Sequence, residues 1–360
     1  MTAARAGSPR VAVVYPIPFG EEGIYGGGER YALELAKALA RRTPTRLVTF
    51  GATPRLEWRD ELEIRLRVPW RYVRGERFNP LSIAFVRDLR DVDVVHCVSW
   101  NTLVSDVSVL YARLARKRVF VTDVGGGASF TLAHRLRLGG LVDGFALIAP
   151  QPGQFDPWRD RWSIILGGID AQRFRPAAGA KRAGVLFVGR LLPHKGIDVL
   201  IRAIDPGVAL RVVGRRYDER YFGLLQELAR GKDVTFVTDA SDADILAMYQ
   251  AAAVAVLPSV ATSVYGEVSN APELLGFTLL EAMSCATPVI CSDALPGIVV
   301  DGESGFVVPQ RDVEALASRL RLILSDAALA ARLGAAARQR VLDVFTWDLV
   351  AERCLQAYER

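Results

Sequence analysis

Short apolar runs alternate with helical patterns along the first half of the chain. Residues 11–15 read VAVVY, a glycine-bearing loop follows at 20–28, and apolar residues then recur at helical spacing on one face of 32–39. Further apolar runs lie at 92–95, 119–121 and 145–148. Continuous apolar strands separated by helices are typical of a parallel sheet covered on both faces. The first half is therefore predicted to be Rossmann-like.

The second half repeats this order. Its apolar runs are 185–188, 210–213, 234–237, 254–257 and 289–291, and helical patterns such as 243–252 separate them. We predict an α/β protein in which two Rossmann-like domains turn parallel sheets toward each other across a cleft, where open α/β sheets hold ligands. The predicted domains are 1–170 and 171–345, joined through a segment rich in Pro, Gly and Gln, and a helix at 346–360 is expected to return to the first domain.

Composition narrows the class of protein. A chain of 360 residues with 51% hydrophobic content is neither disordered nor fibrous, and it is long enough for two domains. No apolar run approaches the roughly 20 residues that span a bilayer, and no signal-peptide core precedes the first strand, so we expect a cytoplasmic protein. The cysteines lack metal-binding spacing, which predicts buried free thiols and no metal site. They are Cys97, Cys285, Cys291 and Cys354.

The net charge of +5 comes from the first half, where residues 58–78 interleave arginines with Trp58, Trp70 and Tyr72. Such a segment can meet a membrane surface or an anionic acceptor. The alternative is a solvated hairpin at a sheet edge. No nucleic-acid motif accompanies these charges, so we expect no nucleic-acid partner. The arginines are Arg59, Arg65, Arg67, Arg71, Arg74 and Arg77.

The segment 272–288, PELLGFTLLEAMSCATP, carries Glu273 and Glu281 on either side of Gly276. On one continuous helix these carboxylates would lie about 80° apart and would not share a face. We predict instead a turn at Gly276 and a helix that starts near Phe277. The amides of that helix start suit a phosphate, and the carboxylates suit sugar or ribose hydroxyls. An ordinary amphipathic helix with two solvated glutamates is the alternative.

Five segments in order resemble the retaining GT-B glycosyltransferases of family 4. GGGERYALELAKAL resembles the first-domain GG-x-E segment, and VLFVGRLLPHKGIDVLIRAI resembles the G-R-x-x-x-x-K-G element. GGIDAQRFRP resembles the interdomain N-G-V-D-x-x-x-F-x-P, with Gly167 in place of Asn. MYQAAAVAVLPS resembles Y-x-x-A-x-V-x-x-x-P-S, and Glu273 with Glu281 forms the E-x7-E motif. The resemblance covers most of the chain.

This resemblance implies a site for a nucleoside diphosphate sugar. Arg190 and Lys195 would neutralise the pyrophosphate, with no metal required. Glu281 would bind ribose hydroxyls, and Glu273 would bind the donor sugar. Backbone groups would complete the binding site at Gly27, Gly28, Gly189, Gly276, Phe277 and Thr278.

The chain departs from the family pattern after the run that ends near Thr122. The usual T-x-H is here Thr122, Asp123 and Val124, so Asp123, the loop at 125–129 or His96 would have to supply the missing polar role. A structural role is the alternative for His96. The D-x-D at 91–93 spells a metal motif of another fold, but it is expected to open a strand. The segment 259–273 is longer than in the family and is a candidate pocket wall or lid.

The expected reaction is retaining transfer of a sugar, from a UDP-sugar in preference to a GDP-sugar, to an acceptor hydroxyl. The resemblance favours departure on the front face, with the leaving phosphate helping to deprotonate the acceptor. The acceptor is expected to be lipid-linked or anionic, the protein a monomer or homodimer, and its first domain in peripheral contact with the inner membrane face. Two alternatives remain open, a nucleotide-sugar epimerase and a non-catalytic partner subunit of the same fold.

Overall fold

The computed structural model describes residues 7–16, 27–125, 128–132, 136, 138–149, 155–269, 273–295 and 297–360. Most of the predicted glycine loop at 20–28, two glycines of the loop at 125–129, and Asn270 to Pro272 of the long segment lie outside these ranges. The chain forms two compact units. Met1–Gly168 with Trp347–Arg360 make up the first, and Ile169–Thr346 make up the second.

The first unit is built on an eight-stranded sheet of order β10-β9-β8-β7-β1-β2-β4-β3 among the described residues. Every neighbouring pair is parallel except β3 with β4. Its strands are β1 Val11–Val14, β2 Thr45–Phe50, β3 Arg55–Arg59, β4 Leu62–Arg67, β7 Val94–Val98, β8 Arg118–Thr122, β9 Gly144–Leu147 and β10 Trp162–Ile164. β5 Arg71–Tyr72 and β6 Pro80–Leu81 form a separate pair. The helices are α1 Gly27–Ala40, α2 Leu103–Leu114 and α9 Trp347–Glu359.

The second unit contains a fully parallel six-stranded sheet of order β13-β12-β11-β14-β15-β16 in the described part of the chain. Its strands are β11 Val185–Val188, β12 Leu210–Val213, β13 Val234–Val237, β14 Val254–Leu257, β15 Val289–Ser292 and β16 Phe306–Val308. Its helices are α3 Ile197–Ala203, α4 Glu219–Leu228, α5 Asp242–Ala251, α6 Phe277–Ser284, α7 Val313–Ser325 and α8 Ala327–Val344. Each apolar run predicted from the sequence overlaps a strand.

Burial explains why the central strands were visible in the sequence. All residues of β1, β7, β11 and β14 are buried, which requires continuous apolar runs. In β4 the burial alternates, with Leu62, Ile64 and Leu66 inside and polar residues between them. Such alternation is typical of a strand near the sheet edge, where one face meets solvent. The edge hairpin that the sequence offered as an alternative for 58–78 is thus present as β3 and β4.

The C-terminal helix α9 belongs to the first unit. The backbone and ring of Trp347 lie so close to Gly168 that a Cβ there would stand 2.7 Å from the ring. Tyr358, near the end of α9, packs its ring 4.8 Å from that of Phe120 on β8, measured between centroids. The helix thus covers part of the first unit's sheet.

The structure also describes the cysteines and the D-x-D segment at 91–93, and it bears on membrane helices and metal-binding groups. All four cysteines are buried and free, as predicted. Asp91 binds Arg46, Asp93 accepts from the Arg10 amide, and β7 starts at the next residue, so this D-x-D opens a strand. In the described residues no helix is both long and apolar enough to cross a membrane. The same residues contain no group of three or more His, Cys, Asp or Glu placed to hold a metal ion.

Candidate functional site

The strand order of the second unit creates a crevice between two loops. The central neighbours are β11 and β14, and the chain continues from β11 to β12 on one side and from β14 to β15 on the other. The loops at their carboxyl ends diverge at such a switch point and leave room for a ligand. The loop after β11 carries Arg190 and Lys195. The loop after β14 carries Ser259 and leads to Glu273.

These two loops are held together by backbone contacts. The amide of Val260 donates to the carbonyl of His194 at 2.8 Å. Gly196 adopts a left-handed φ of 65°, and a Cβ at this position would stand 2.0 Å from the carbonyl oxygen of Pro258. Only glycine permits both the backbone conformation and the close approach. This explains the glycine that follows Lys195 in the G-R-x-x-x-x-K-G element.

Lys195 and Glu273 meet in this crevice. Lys195 Nζ lies 2.5 Å from Glu273 Oε2, and the two side chains are only 11% and 12% exposed. The hydroxyl of Ser259 donates to the same carboxylate oxygen at 3.2 Å. Two oppositely charged residues that are 78 positions apart in the sequence therefore form a largely buried ion pair. The sequence predicted both residues for the site but not their direct contact.

The predicted turn and helix start at Gly276 are confirmed. Gly276 caps α6 with a left-handed φ of 62°, and the helix begins at Phe277. A Cβ on Gly276 would stand 2.7 Å from a methyl group of the buried Leu295. The N-cap residue of this helix, Gly276, has no side chain that could cap it. Backbone amides at the first turn of α6 are suited to an anion, as at other helix N-termini.

Glu281 lies one turn inside α6 and is 2% exposed. The hydroxyl of Tyr249 on α5 donates to its Oε2 at 2.9 Å. The carbonyl of Tyr249 in turn accepts from Thr287 at 2.6 Å and from Arg182 at 3.3 Å. Glu281 is therefore a positioned carboxylate, and the alternative of two solvated glutamates does not describe it. Sequence reasoning missed Tyr249, although it opens the Y-x-x-A segment.

The crevice around Lys195 has a positive character. Arg190 is exposed directly after Gly189, whose amide continues the sheet by donating to Val213. Burial and the charges of Lys195 and Arg190 lower the pKa of His194 to about 4. The imidazole is consequently neutral near pH 7, so Arg190 and Lys195 are the cations of this loop. Anionic ligands are favoured there.

The first-unit candidates fall into two groups. Gly27 and Gly28 begin α1, and a Cβ on Gly28 would stand 2.7 Å from Tyr15 Oη and 3.1 Å from Val124 Cγ2. Asp123 is half-buried beside Val124, and its carboxylate accepts from the Gly125 amide at 3.3 Å. The structure thus brings Gly28 close to the segment that contains Asp123.

His96 lies apart from this group, inside the core. It is completely buried, its Nε2 lies 2.7 Å from the Thr122 hydroxyl, and its Nδ1 contacts the Tyr358 hydroxyl. Burial lowers the pKa of His96 to about 3. This geometry supports the structural alternative for His96, because both ring nitrogens bind protein groups.

Residues 168–340 match the family Glycosyl transferases group 1, and residues 25–135 match Glycosyltransferase Family 4. The chain belongs to glycosyltransferase family 4. The match to the group 1 family includes Arg190, Lys195, Glu273 and Glu281, and the other match includes Gly27, Gly28, His96 and Asp123. The resemblance seen in five sequence segments is thereby confirmed.

Solved structures show that this family 4 member has the GT-B fold. A sucrose-phosphate synthase from Thermosynechococcus elongatus is 25% identical, with 98% of each chain covered and a TM-score of 0.74. A glycosyltransferase from Rickettsia africae also has a TM-score of 0.74, at 17% identity and 98% coverage of each chain.

Curated relatives match the family 4 protein over part of their length. A glycogen synthase from Mycobacterium tuberculosis is 33% identical over 57% of this chain and 50% of its own. A GDP-mannose-dependent alpha-(1-6)-phosphatidylinositol monomannoside mannosyltransferase from Mycolicibacterium smegmatis is 32% identical over 50% of this chain and 51% of its own. The chain thus spans about half the length of these relatives.

Proposed function

We propose that the protein is a retaining glycosyltransferase, which moves a sugar from a nucleoside diphosphate sugar to an acceptor hydroxyl. The contact between Lys195 Nζ and Glu273 Oε2, beside the start of α6, carries this proposal. In such a donor the anomeric carbon is bonded directly to a phosphate oxygen. A cation for the phosphate and a carboxylate for the sugar must therefore be neighbours, as these two side chains are.

All of the predicted site residues except His96 have a role in this proposal. Arg190 offers a planar fork to the pyrophosphate, while Lys195 acts as a point charge on the phosphate next to the sugar. Amides at Gly276, Phe277 and Thr278 donate to the same group. Gly189 allows the loop backbone to approach the donor. In the first unit, Gly27, Gly28 and Asp123 would contact the donor phosphate or the acceptor.

The two carboxylates bind hydroxyl groups. Glu281, held by Tyr249, would accept hydrogen bonds from the ribose. Glu273 would exchange part of its contact with Lys195 for the hydroxyls of the donor sugar. An ionised carboxylate only accepts hydrogen bonds, so both residues select ligands that carry hydroxyl donors.

In the proposed reaction, negative charge develops on the departing phosphate group. The bond between the anomeric carbon and the phosphate oxygen breaks, and the acceptor oxygen forms a bond to that carbon on the same face. The acceptor proton passes to the departing phosphate. Arg190 and Lys195 stabilise the charge that grows on the leaving group, so this chemistry does not require a metal ion.

We also propose which donor and which class of acceptor the protein uses. A UDP-sugar is favoured as donor, while the mannosyltransferase relative is named for GDP-mannose. The acceptor is proposed to be lipid-linked or anionic, and the protein to be a monomer or homodimer at the inner membrane face. Exposed Trp58 and Trp70, 64% and 66% accessible among the arginines of the first unit, support the membrane contact.

The transfer proposal is tested by replacing Lys195 or Glu273 with Ala and measuring nucleoside diphosphate released from a UDP-sugar with an acceptor present. We expect turnover to fall by about 100-fold or more, since a preorganised group at the developing charge contributes roughly 2.7–4 kcal/mol. Circular dichroism should show a folded protein. Near-wild-type turnover in either variant would contradict the assigned roles.

The dependence on acceptor separates the rival activities. Release of nucleoside diphosphate only when acceptor is added supports transfer. Conversion of the sugar nucleotide to an epimer without release would identify an epimerase, and binding without either reaction would identify a non-catalytic partner.

The membrane contact has its own test. The wild-type protein should sediment with vesicles rich in anionic lipid at low salt and detach at high salt, because surface charges are screened. Replacing both Trp58 and Trp70 with Ser should reduce sedimentation, whereas replacing exposed Tyr217 of the second unit should not. Equal sedimentation of all variants would argue against this surface.

A further inference from the structure

An open cavity with a volume of about 320 Å³ lies at the outer edge of the first unit's sheet. Arg67 ends β4, Arg55 begins β3, and the register places Arg55 opposite Leu66. The cavity therefore lies at the carboxyl end of β4, next to the last strand of the sheet. Its lining residues are Pro54, Arg55, Leu56, Arg65 and Arg67.

A buried carboxylate fixes two of these arginines. Asp88 is 1% exposed and accepts from Arg65 Nη1 at 2.7 Å and from Arg67 Nε at 2.6 Å. Burial would raise the pKa of Asp88, but hydrogen bonds from Arg67 and Arg65 hold it below its ordinary value. Asp88 is therefore ionised near pH 7, and the guanidinium groups are oriented before any ligand arrives.

The oriented guanidinium groups retain hydrogen-bond donors. Arg65 uses Nε for Glu63 and Nη1 for Asp88, and Arg67 uses Nε and Nη2 for Asp88. Within the described ranges, Arg65 Nη2 and Arg67 Nη1 donate to no protein acceptor. An arginine has five N–H donors in a planar fork, so both groups can bind a further anion.

Positive charge exceeds negative charge around the cavity. Three carboxylates are each shared by two arginines: Asp88 by Arg65 and Arg67, Glu63 by Arg46 and Arg65, and Glu57 by Arg55 and Arg59. With Asp91, which pairs with Arg46, five guanidinium groups face four carboxylates. The acidic turn at 60–61 closes the opposite end of the hairpin, roughly 16 Å away at about 3.3 Å per strand residue.

We propose that this cavity binds a phosphate group. A phosphate presents several acceptor oxygens, and guanidinium forks that are already oriented bind it with little loss of side-chain freedom. Pro54 and Leu56, the latter 59% exposed, provide an apolar wall beside the arginines for the body of an organic phosphate. The site belongs to the first unit and shares no residue with the donor site proposed for the second, so it does not depend on the chemistry proposed there.

Calorimetric titration of the full chain with inorganic phosphate, at constant ionic strength and in saturating UDP, tests the site. We expect phosphate to bind under these conditions. R55Q should weaken binding about tenfold or more, because it removes a charged hydrogen-bond donor to the phosphate. R59Q is the matched control, because Arg59 lies on the same strand and shares Glu57 but does not line the cavity. It should leave the affinity unchanged within about twofold.

A second variant, R67K, tests the site with a change that is expected to leave the fold intact. R67K keeps a cation opposite Asp88 but loses the fork, so it should fold with a normal melting temperature and bind phosphate less tightly. Several results would overturn the proposal: no phosphate binding, binding that UDP abolishes, equal weakening by R55Q and R59Q, or unchanged affinity in a folded R67K.

A second titration, with phenyl phosphate, distinguishes free phosphate from the phosphate group of a larger molecule as the ligand of this cavity. Tighter binding than inorganic phosphate, lost in L56A, would assign the cavity to the phosphate of a larger molecule. Equal affinity for both ligands would assign it to free phosphate. If UDP itself fails to bind, the proposal of a UDP-sugar donor fails, but the effects of R55Q and R59Q on phosphate binding can still be compared.

Discussion

Glu281 shows how much the function of one residue depends on its neighbours. Its carboxylate is almost completely buried, and the Tyr249 hydroxyl donates to it at 2.9 Å. The tyrosine is held by Thr287 and Arg182 through its carbonyl and by an edge-on contact with Phe174. Tyr249 is therefore a positioning residue for Glu281 in the proposed ribose contact.

Replacing Tyr249 with Phe removes this donor. We expect about 1–3 kcal/mol of lost stability and a weaker affinity for UDP, because the buried carboxylate loses a partner that orients it. Affinity for 2′,3′-dideoxy-UDP should change less, since that ligand cannot use Glu281. Titration calorimetry with both ligands measures the difference.

Y217F is the control for this change, because Tyr217 is 58% exposed. It should alter neither affinity. If Y249F weakened UDP and its dideoxy analogue by the same factor, the effect would be general and not directed to the ribose.

The sequence was sufficient to identify some residues of the candidate site but not others. Arg190, Lys195, Glu273 and Glu281 were identified because charged residues at family spacing stand next to strand ends and helix starts. Tyr249 was not singled out, since a tyrosine in a helix is ordinarily a core residue. Its role depends on a partner 32 positions away, and only the folded chain brings the two together.

At the scale of elements, the loops after β11 and β14 act as one support for the crevice. Gly196 allows their close approach at Pro258, and Val260 adds a hydrogen bond to His194. A side chain at Gly196 would push these loops apart and move Lys195 away from Ser259 and Glu273. The geometry of the site is therefore sensitive to a residue that has no functional group.

Replacing Gly196 with Ala tests this dependence. A non-glycine residue in the left-handed region costs roughly 1–2 kcal/mol. The clash at 2.0 Å with a backbone oxygen adds to this cost, because backbone cannot move aside as a side chain can. We expect a lower melting temperature and a loss of UDP affinity, both measured by thermal shift with and without UDP.

Gly207 provides a matched control. It has a φ of 84°, but a Cβ there would meet nothing within 4 Å. G207A should show the backbone cost alone and keep UDP affinity. Identical behaviour of G196A and G207A would mean that the contact between the loops is unimportant.

Elements also differ in how well the sequence predicted them. Most buried strands were predicted, whereas β2, β10 and β16 were not, and β3 and β4 were covered only by the alternative of an edge hairpin at 58–78. Half-buried strands such as β4 carry arginines and glutamates on their solvent face, and this weakens the apolar signal. Their assignment comes from pairing with neighbours distant in sequence, which local periodicity does not contain.

At the scale of the whole molecule, α9 ties the end of the chain to the first unit. Tyr358 contacts His96 and Phe120 on neighbouring strands, and Trp347 packs against Gly168 and Tyr31. His96 is completely buried beneath these contacts, and burial lowers its pKa to about 3, so the imidazole is neutral near pH 7. The stability of this unit is consequently linked to pH.

The sign of that linkage follows from the lowered pKa. Between about pH 6.5 and pH 3 the unfolded chain binds a proton at His96 that the folded chain does not, so stability falls as pH falls. One such proton contributes at most about 1.4 kcal/mol per pH unit. H96Q should therefore lose part of the pH slope between pH 7 and pH 5, measured by hydrogen exchange of the β7 and β8 amides.

Y358F distinguishes titration from simple loss of a contact. It removes the hydroxyl that contacts His96 but keeps the buried imidazole, so it should lower stability while retaining the wild-type slope. A slope in H96Q equal to that of wild type would show that His96 does not carry this pH dependence.

The sequence alone determined the family, the two-domain α/β class, the central strands and the charged residues of the crevice. These properties are local, since buried strands need continuous apolar runs and a site needs particular functional groups at fixed spacing. The tertiary structure decided the direct contact of Lys195 with Glu273, the support of Glu281 by Tyr249, and the core position of His96. It also revealed the arginine cavity between β3 and β4. These contacts join residues far apart in the chain, and their distances exist only after the sheets have formed.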